Sequence, residues 1–226
     1  MRILIVGNSV SNPPFDGAPS YPRLLGEQLG AQATVITIIG SGETIEQLEA
    51  RTIAALAGDV DRLVLQVGIN ECAPRPLSVS ERAWLGRLRS DWLRKQIIRI
   101  IHRFRPQIIR VRGLRQVTPL PAFKASVARV VAAARERNIP VLILPITTVT
   151  AVAEARTPFT NREAARYNAA LAAFSSAGVR VATQRDIFGT DEATGLVASP
   201  ETVHLSPDSH RMMASFVQAW ISMDTV

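Results

Sequence analysis

The sequence predicts an α/β fold: a flavodoxin-like, three-layer α/β/α sandwich on a central parallel sheet of about five strands. Two observations support this prediction. Short apolar runs rich in β-branched residues alternate along the chain with longer stretches of helical periodicity. Glycine, proline or polar residues bound each run, as is typical of buried parallel strands. The predicted strands are residues 2–6, 34–39, 62–67, 140–145 and 179–183.

The segments between these runs carry helix signals. Thr44 is a candidate N-cap for a helix over residues 45–56, and Gln47 completes a capping box. Ser80 is a candidate N-cap for a long helix that ends near Phe104. An apolar stripe at helical spacing runs along that helix and consists of Leu85, Leu88, Trp92, Ile97, Ile100, Ile101 and Phe104. Further helices are predicted at about 122–138, 161–177 and 208–222.

Composition agrees with one ordinary domain over residues 1–226. A hydrophobic content of 47% with 20% charged residues argues against disorder. The lone cysteine, Cys72, excludes an internal disulfide framework and a cysteine-based zinc cluster. No apolar run approaches the roughly 20 residues that span a bilayer, and the first residues lack the features of a signal peptide. We therefore expect a cytoplasmic protein.

Three short polar patches carry groups that a serine esterase must gather at one point. They are residues 7–9 (Gly-Asn-Ser), residues 68–71 (Gly-Ile-Asn-Glu) and residues 201–204 (Glu-Thr-Val-His). The first two directly follow predicted strands, and ligands of parallel α/β sheets bind at the carboxyl ends of the strands. A hydroxyl, an amide and an imidazole that meet there would supply a nucleophile, an oxyanion donor and a base.

These patches resemble conserved blocks of the SGNH branch of the GDSL hydrolases. Residues 7–9 are similar to that family's Gly-Asp-Ser block, with Asn for Asp. Residues 41–44 (Ser-Gly-Glu-Thr) resemble the block whose glycine faces the oxyanion, and residues 68–71 resemble Gly-x-Asn-Asp with a final Glu. Residues 201–204 are similar to Asp-x-x-His, with Glu for Asp. Four blocks in the right order extend the resemblance over most of the chain and imply a carboxylic ester hydrolase.

The resemblance implies a role for each residue. Ser9 is the expected nucleophile, His204 the base that takes its proton, and Glu201 the acid that orients the imidazole. The expected oxyanion hole consists of the Ser9 main-chain N–H, Gly42 and Asn70, with Gly40 as an alternative glycine. No metal and no organic cofactor is implied.

Structural explanations compete with these roles. Ser9 and Asn70 are residue types that also close turns, and Glu201 can be a solvated loop carboxylate. The other histidines are His210, which packing or solvent exposure explains, and His102, which we expect on the surface. We also expect Asn8 to keep its turn-forming hydrogen bond, Glu71 to hold its loop and Cys72 to be a packed thiol.

A strongly basic region adds a possible anion-binding surface. Residues 82–115 contain eleven Lys or Arg residues, and Asp91 is their only acid. Together with a net charge of +7, this region fits attraction to an anionic ligand, although a solvated basic face explains it equally well. No motif for sequence-specific nucleic-acid binding is present.

The function that the resemblance implies is hydrolysis of a small acyl ester, O-acetyl on a carbohydrate being the expected case, through an acyl-enzyme. The substrate is then an acyl ester or an acylated sugar. Two alternatives stay open: an O-acyltransferase that uses the same triad, and a non-catalytic relative that binds glycans or anions.

Overall fold

A five-stranded sheet lies at the centre of the computed structural model, which describes residues 1–12 and 18–223. Every neighbouring pair of strands is parallel, in the order β2-β1-β3-β4-β5. The strands are β1 (Arg2–Asn8), β2 (Thr34–Gly40), β3 (Arg62–Gln66), β4 (Val141–Ile143) and β5 (Val179–Val181). The predicted fold class and all five predicted strands are confirmed.

The central strands are the most apolar because both of their faces are covered. Ile3, Leu4, Ile5 and Val6 of β1 are fully buried, as are Leu63, Val64 and Leu65 of β3. Continuous apolar runs of this kind fit strands with helices on both faces of the sheet.

Helices form the two outer layers. Helix α2 packs against α7, which also contacts α9, whereas α1 and α10 pack against α11. Right-handed crossovers place the first set on one face of the sheet and α1 on the other, because the connection from β1 to β2 runs opposite to the later ones. The helices are α1 (Tyr21–Leu29), α2 (Ile45–Leu56), α3 (Ile69–Cys72), α4 (Val79–Gly86), α5 (Asp91–Arg103), α6 (Arg105–Arg112), α7 (Leu120–Arg135), α8 (Ala151–Arg156), α9 (Thr160–Ala172), α10 (Gln184–Phe188) and α11 (Pro207–Met223).

The helices predicted from residues 45–56, 122–138, 161–177 and 208–222 correspond to α2, α7, α9 and α11. The capping box of Thr44 and Gln47 is present at the start of α2. Helices α1, α3, α6, α8 and α10 are not predicted from the sequence. Within the described ranges, no helix is both long and apolar enough to cross a membrane.

The prediction of a single long helix from Ser80 to about Phe104 is wrong. Two helices, α4 and α5, occupy this stretch, and their N-caps are Ser78 and Ser90. The Ser90 hydroxyl accepts a hydrogen bond from the main-chain N–H of Leu93, so a new helix starts where the predicted one would continue. The predicted apolar stripe is therefore divided between two helices. It is also largely solvent-facing: α5 has no buried residue, and Trp92 is 69% exposed.

The strand order fixes where a ligand would bind. The chain leaves β1 toward β2 and then crosses back to β3, so the direction of winding reverses between β1 and β3. Crevices at such switch points, outside the carboxyl ends of the strands, are the usual ligand sites of open α/β sheets. The loops after β1 and β3 begin with the first two polar patches.

Candidate active site

Ser9 lies in a tight turn directly after β1. Residues Ser9–Ser11 form one turn of 3₁₀ helix, and the buried Asn8 caps it: its Oδ1 accepts a hydrogen bond from the Val10 N–H at 3.1 Å. Asn therefore keeps the acceptor that the turn needs, as predicted. A side chain at Gly7 would not fit, because its Cβ would lie 2.1 Å from the Ser11 hydroxyl oxygen.

A buried hydrogen bond ties this turn to the neighbouring strand. The Ser11 hydroxyl donates to Oε1 of Gln66, the last residue of β3, at 2.7 Å, and both side chains are buried. This pair is not predicted from the sequence. Its one sequence signal is a lone amide in the otherwise apolar run of residues 63–67, because a buried amide requires partners.

Asn70 follows β3 on the short helix α3. Its Nδ2 donates to the main-chain carbonyl of Glu43, in the turn after β2, at 2.8 Å. A side-chain amide carries two N–H groups, so one remains for an oxyanion. The loop before it requires glycine: Gly68 has φ +121°, and a Cβ there would lie 2.3 Å from the Ile146 side chain.

Glu71 connects the loop after β3 to the start of α2. Its carboxylate is fully buried and accepts hydrogen bonds from the N–H of Ile45 at 2.6 Å and of Gly68 at 3.0 Å. Burial raises the pKa of Glu71 to about 7, although these N–H groups and the charge of Arg75 favour the ionised form. The structure thus places Glu71 where it holds the loop, which is its predicted role.

The two candidate glycines occupy different environments in the turn after β2. Gly42 is exposed, has φ +77°, and has open space where a Cβ would point. Gly40 is buried under the Glu43 side chain and pairs across the sheet with Asn8. Gly42 is therefore the more accessible of the two, and its role as an oxyanion donor stays a prediction.

The loop before α11 brings His204 to Ser9. An antiparallel bridge between Val197 and Leu205 shapes this loop, and the Ala198 N–H donates to the His204 carbonyl at 2.8 Å. The imidazole Nδ1 lies 3.1 Å from the main-chain oxygen of Ser9. A carbonyl oxygen only accepts, so this bond requires a proton on Nδ1. The neutral ring then keeps its lone pair on Nε2, which is the form that a general base needs.

Glu201 is engaged elsewhere. Its carboxylate makes two hydrogen bonds to the guanidinium of Arg156, at 2.7 and 2.8 Å, and its side chain is 56% exposed. In the part of the chain that the structure describes, no hydrogen bond joins Glu201 to His204. The structure therefore brings Ser9 and His204 together and places Glu201 on a neighbouring arginine, so its role as the orienting acid stays a prediction.

The competing side chains have structural explanations. His210 is buried, and its Nδ1 accepts a hydrogen bond from the Tyr21 N–H at 3.2 Å. Burial, followed by the charge of His204, lowers the pKa of His210 to about 4. Cys72 is buried, which raises the pKa of its thiol, and His102 is exposed. Among the described residues, no group of three or more His, Cys, Asp or Glu side chains could hold a metal ion.

A cavity of about 600 Å³ opens beside the turn that carries Asn70. Asn70 and Glu201 line it, together with the cationic side chains of Arg75, Arg103, Arg105 and Arg156. A second cavity, of about 360 Å³, shares Arg75 and Arg105 with the first and reaches helices α4 and α5. The sequence indicates the basic region, but no local signal distinguishes Arg75 and Arg105 within or beside it.

A serine in a capped turn, an imidazole bonded to its main chain and an amide on the next loop, all at a switch point, are typical of an α/β/α hydrolase. A model of the GDSL-like lipase/acylhydrolase family matches residues 5–212. The chain belongs to this family, and its class is that of an ester hydrolase. No curated protein sequence matches it at a significant level.

Solved structures share the fold over almost their whole length. A protein of the lipolytic G-D-S-L family from Desulfitobacterium hafniense DCB-2 superposes with a TM-score of 0.60 at 16% identity, covering 96% of this chain and 98% of that one. A catalytic mutant of the acetylxylan esterase Axe2 from Geobacillus stearothermophilus gives 0.61 at 14% identity, with 96% and 92% covered. TesA gives 0.58 at 18% identity, with 97% of each chain covered.

Proposed function

We propose that the protein is a serine esterase that removes a small acyl group, O-acetyl in the favoured case, from a carbohydrate through an acyl-enzyme. The observation that carries this proposal is the contact between His204 and Ser9. The two residues are 195 positions apart in sequence, yet the imidazole Nδ1 lies 3.1 Å from the Ser9 carbonyl oxygen at the carboxyl end of β1.

In the proposed first step, Ser9 Oγ attacks the acyl carbon while Nε2 of His204 takes the hydroxyl proton. The carbonyl oxygen becomes an oxyanion, which accepts hydrogen bonds from the N–H groups of Ser9, Gly42 and the Asn70 amide. Collapse of this intermediate breaks the bond to the alcohol, which leaves with the proton from His204. Water then attacks the acyl-enzyme by the same route, and Ser9 regains its proton.

Preorganisation of the donors supports this mechanism. Asn70 is bonded to the turn after β2, and Glu71 bonds the start of α2 to the loop after β3. The Ser9 turn is bonded to β3 through Ser11. Donors that are fixed before the reaction need little reorganisation when the oxyanion forms, which is the main source of their effect.

The proposed role of Glu201 needs one further step. Its carboxylate must leave Arg156 before it can accept the Nδ1–H of His204 in place of the Ser9 carbonyl. Exposed ion pairs contribute about 0.2–1 kcal/mol, and a pair with two hydrogen bonds lies at the stronger end, so the exchange costs on the order of 1 kcal/mol.

The choice of an acetylated carbohydrate rests on analogy and on the cavity. The Axe2 structure is that of an acetylxylan esterase, and the cavity beside Asn70 has a volume of about 600 Å³ with many polar side chains on its walls. That volume is in the range of ordinary small-molecule sites. Cytoplasmic localisation stays a prediction.

The test is hydrolysis of 4-nitrophenyl acetate and of acetylated sugars by the wild-type protein, Ser9→Ala and a control, Ser175→Ala. Ser175 is exposed and far from the site in sequence, so its variant controls for the loss of a hydroxyl. We expect Ser9→Ala to abolish turnover and Ser175→Ala to match the wild type. Mass spectrometry of a quenched reaction should place the acetyl group on the peptide that contains Ser9.

A parallel reaction with a sugar acceptor separates the alternatives. Acyl transfer to the sugar without hydrolysis would replace the esterase with an O-acyltransferase. Folded protein that turns over no ester with or without acceptor would leave a non-catalytic binding protein. Full activity of Ser9→Ala would refute Ser9 as the nucleophile.

A further inference from the structure

Two partly buried arginines, Arg75 and Arg105, line the cavity next to Asn70. The Nε–H of each is inaccessible to solvent and has no hydrogen-bond partner in the structure. Across residues 1–12 and 18–223, neither guanidinium forms an ion pair.

The two guanidinium groups lie close enough to affect each other. Burial lowers the pKa of Arg75, and the positive charges of Arg105 and Arg82 lower it further, whereas the charge of Glu71 acts in the opposite direction. Burial also lowers the pKa of Arg105. Partly buried cations that repel each other and make no direct ion pair destabilise the free protein, and an anion between them would relieve that cost.

Their position links them to the reaction. Arg75 Nη2 donates to the main-chain carbonyl of Asn70 at 3.4 Å, and both arginines line the cavity that Asn70 lines. They also line the second cavity, so they stand at the junction of the two. A substrate that spans the first cavity places its acyl ester at Asn70 and another of its groups at these two arginines.

We propose that Arg75 and Arg105 form a subsite for an oxyanion group, a carboxylate or a phosphate, carried by the acylated substrate. Guanidinium groups suit this task because their planar donors bind carboxylate and phosphate oxygens in pairs. The inference rests on the proposed esterase function, which it deepens by making the substrate an anionic ester.

The first experiment measures binding without catalysis. Calorimetric titrations use Ser9→Ala protein, at constant ionic strength, with inorganic phosphate and with glucuronate as probes. Arg105→Gln in that background should weaken binding by about 10- to 100-fold, the effect of losing hydrogen bonds to a charged group. The matched control is Arg110→Gln, which removes an exposed arginine from the same helix, α6, and should leave binding unchanged.

The second experiment measures selectivity. Acetylated glucose is compared with acetylated glucuronate and acetylated glucose 6-phosphate. Each ester is tested with the wild-type protein, Arg105→Gln and Arg110→Gln. We expect kcat/KM to favour one anionic ester by about tenfold or more, Arg105→Gln to abolish the preference, and Arg110→Gln to retain it. Which anionic ester is preferred distinguishes a carboxylate from a phosphate. Arg75→Gln is a second variant of the proposed subsite, and urea unfolding verifies that it folds.

The outcomes separate the two proposals. Anion binding that depends on Arg105 in a protein without esterase activity would support the subsite and refute the esterase. Esterase activity with no anion binding and no anionic preference would refute the subsite alone. Equal losses in Arg105→Gln and Arg110→Gln would also refute it, because they would indicate attraction by overall charge.

Discussion

We predict that the buried residues His210 and Glu71 change the pH dependence of the free energy of unfolding in opposite directions. His210 is 1% exposed, and its Nδ1 accepts a hydrogen bond from the Tyr21 N–H. Protonation of that nitrogen would break the bond and bury a charge. Glu71 is 0% exposed, and its carboxylate is ionised inside the protein only at a cost that its N–H partners partly offset.

The magnitudes follow from the two pKa values. The pKa of His210 falls from 6.5 to about 4 on folding, so its stabilisation is complete above pH 6.5 and is lost as the pH falls through about 4. The pKa of Glu71 rises from 4.5 to about 7, so its stabilisation is complete below pH 4.5 and is lost as the pH rises through about 7. At 1.36 kcal/mol per unit, each contribution is about 3 kcal/mol.

Between pH 4.5 and 6.5 the two contributions oppose each other in the wild type. Removing one of the two groups should therefore expose the pH dependence that is due to the other group. The variant His210→Asn keeps an acceptor in the position of Nδ1, and Glu71→Gln keeps one acceptor oxygen. Relative to the wild type, His210→Asn should gain about 3 kcal/mol in free energy of unfolding between about pH 7 and about pH 4. Glu71→Gln should lose a similar amount over the same interval.

Urea unfolding at a series of pH values measures these slopes, and the buried Trp220 of α11 provides the fluorescence signal. Titrations shared by all three proteins cancel in the comparison, so only the difference from the wild type is used. Curves for the variants that run parallel to the wild type across the whole interval would refute the assignment of these two groups.

Two further predictions concern catalysis. Asn70→Ala should lower kcat by about 10²–10³-fold with little change in KM, because the oxyanion forms only in the transition state; steady-state kinetics measures this, and a change confined to KM would give Asn70 a structural role. Glu201→Gln should lower kcat severely, whereas Arg156→Gln, which frees the Glu201 carboxylate, should not. Equal and small effects of the two variants would instead mean that the Ser9 carbonyl alone orients His204.

The sheet could be predicted from sequence because burial on both faces leaves a local signal. The run Ile3–Val6 shows it without reference to any other part of the chain. Helix α2 was equally readable, since its capping box lies within four residues. The division between α4 and α5 was missed because apolar periodicity continues through Leu85 and Leu88 to Trp92. The Ser90-Asp91 pair, a local N-cap signal, was available there.

The site was only partly readable, for a different physical reason. Ser9, Asn70 and His204 belong to short motifs whose order along the chain is informative. The partners that hold the site are set by distant contacts: Ser11 bonds a residue 55 positions away, and Glu201 pairs with one 45 positions away. No local pattern encodes such a pairing, so the ion pair between Glu201 and Arg156 is visible only in the folded structure.

The stretch from α4 to α6, residues 79–112, has a consequence for how such enzymes diversify. The buried hydrophobic side chains of its helices α4, α5 and α6 are Leu85 and Ile109, and neither belongs to the main core cluster. Substitutions in this stretch therefore have little effect on the packing beneath Ser9. A chimaera that exchanges this stretch with another member of the family should fold with the same reacting groups and accept a different alcohol. Selection can then change what the enzyme recognises separately from how it reacts.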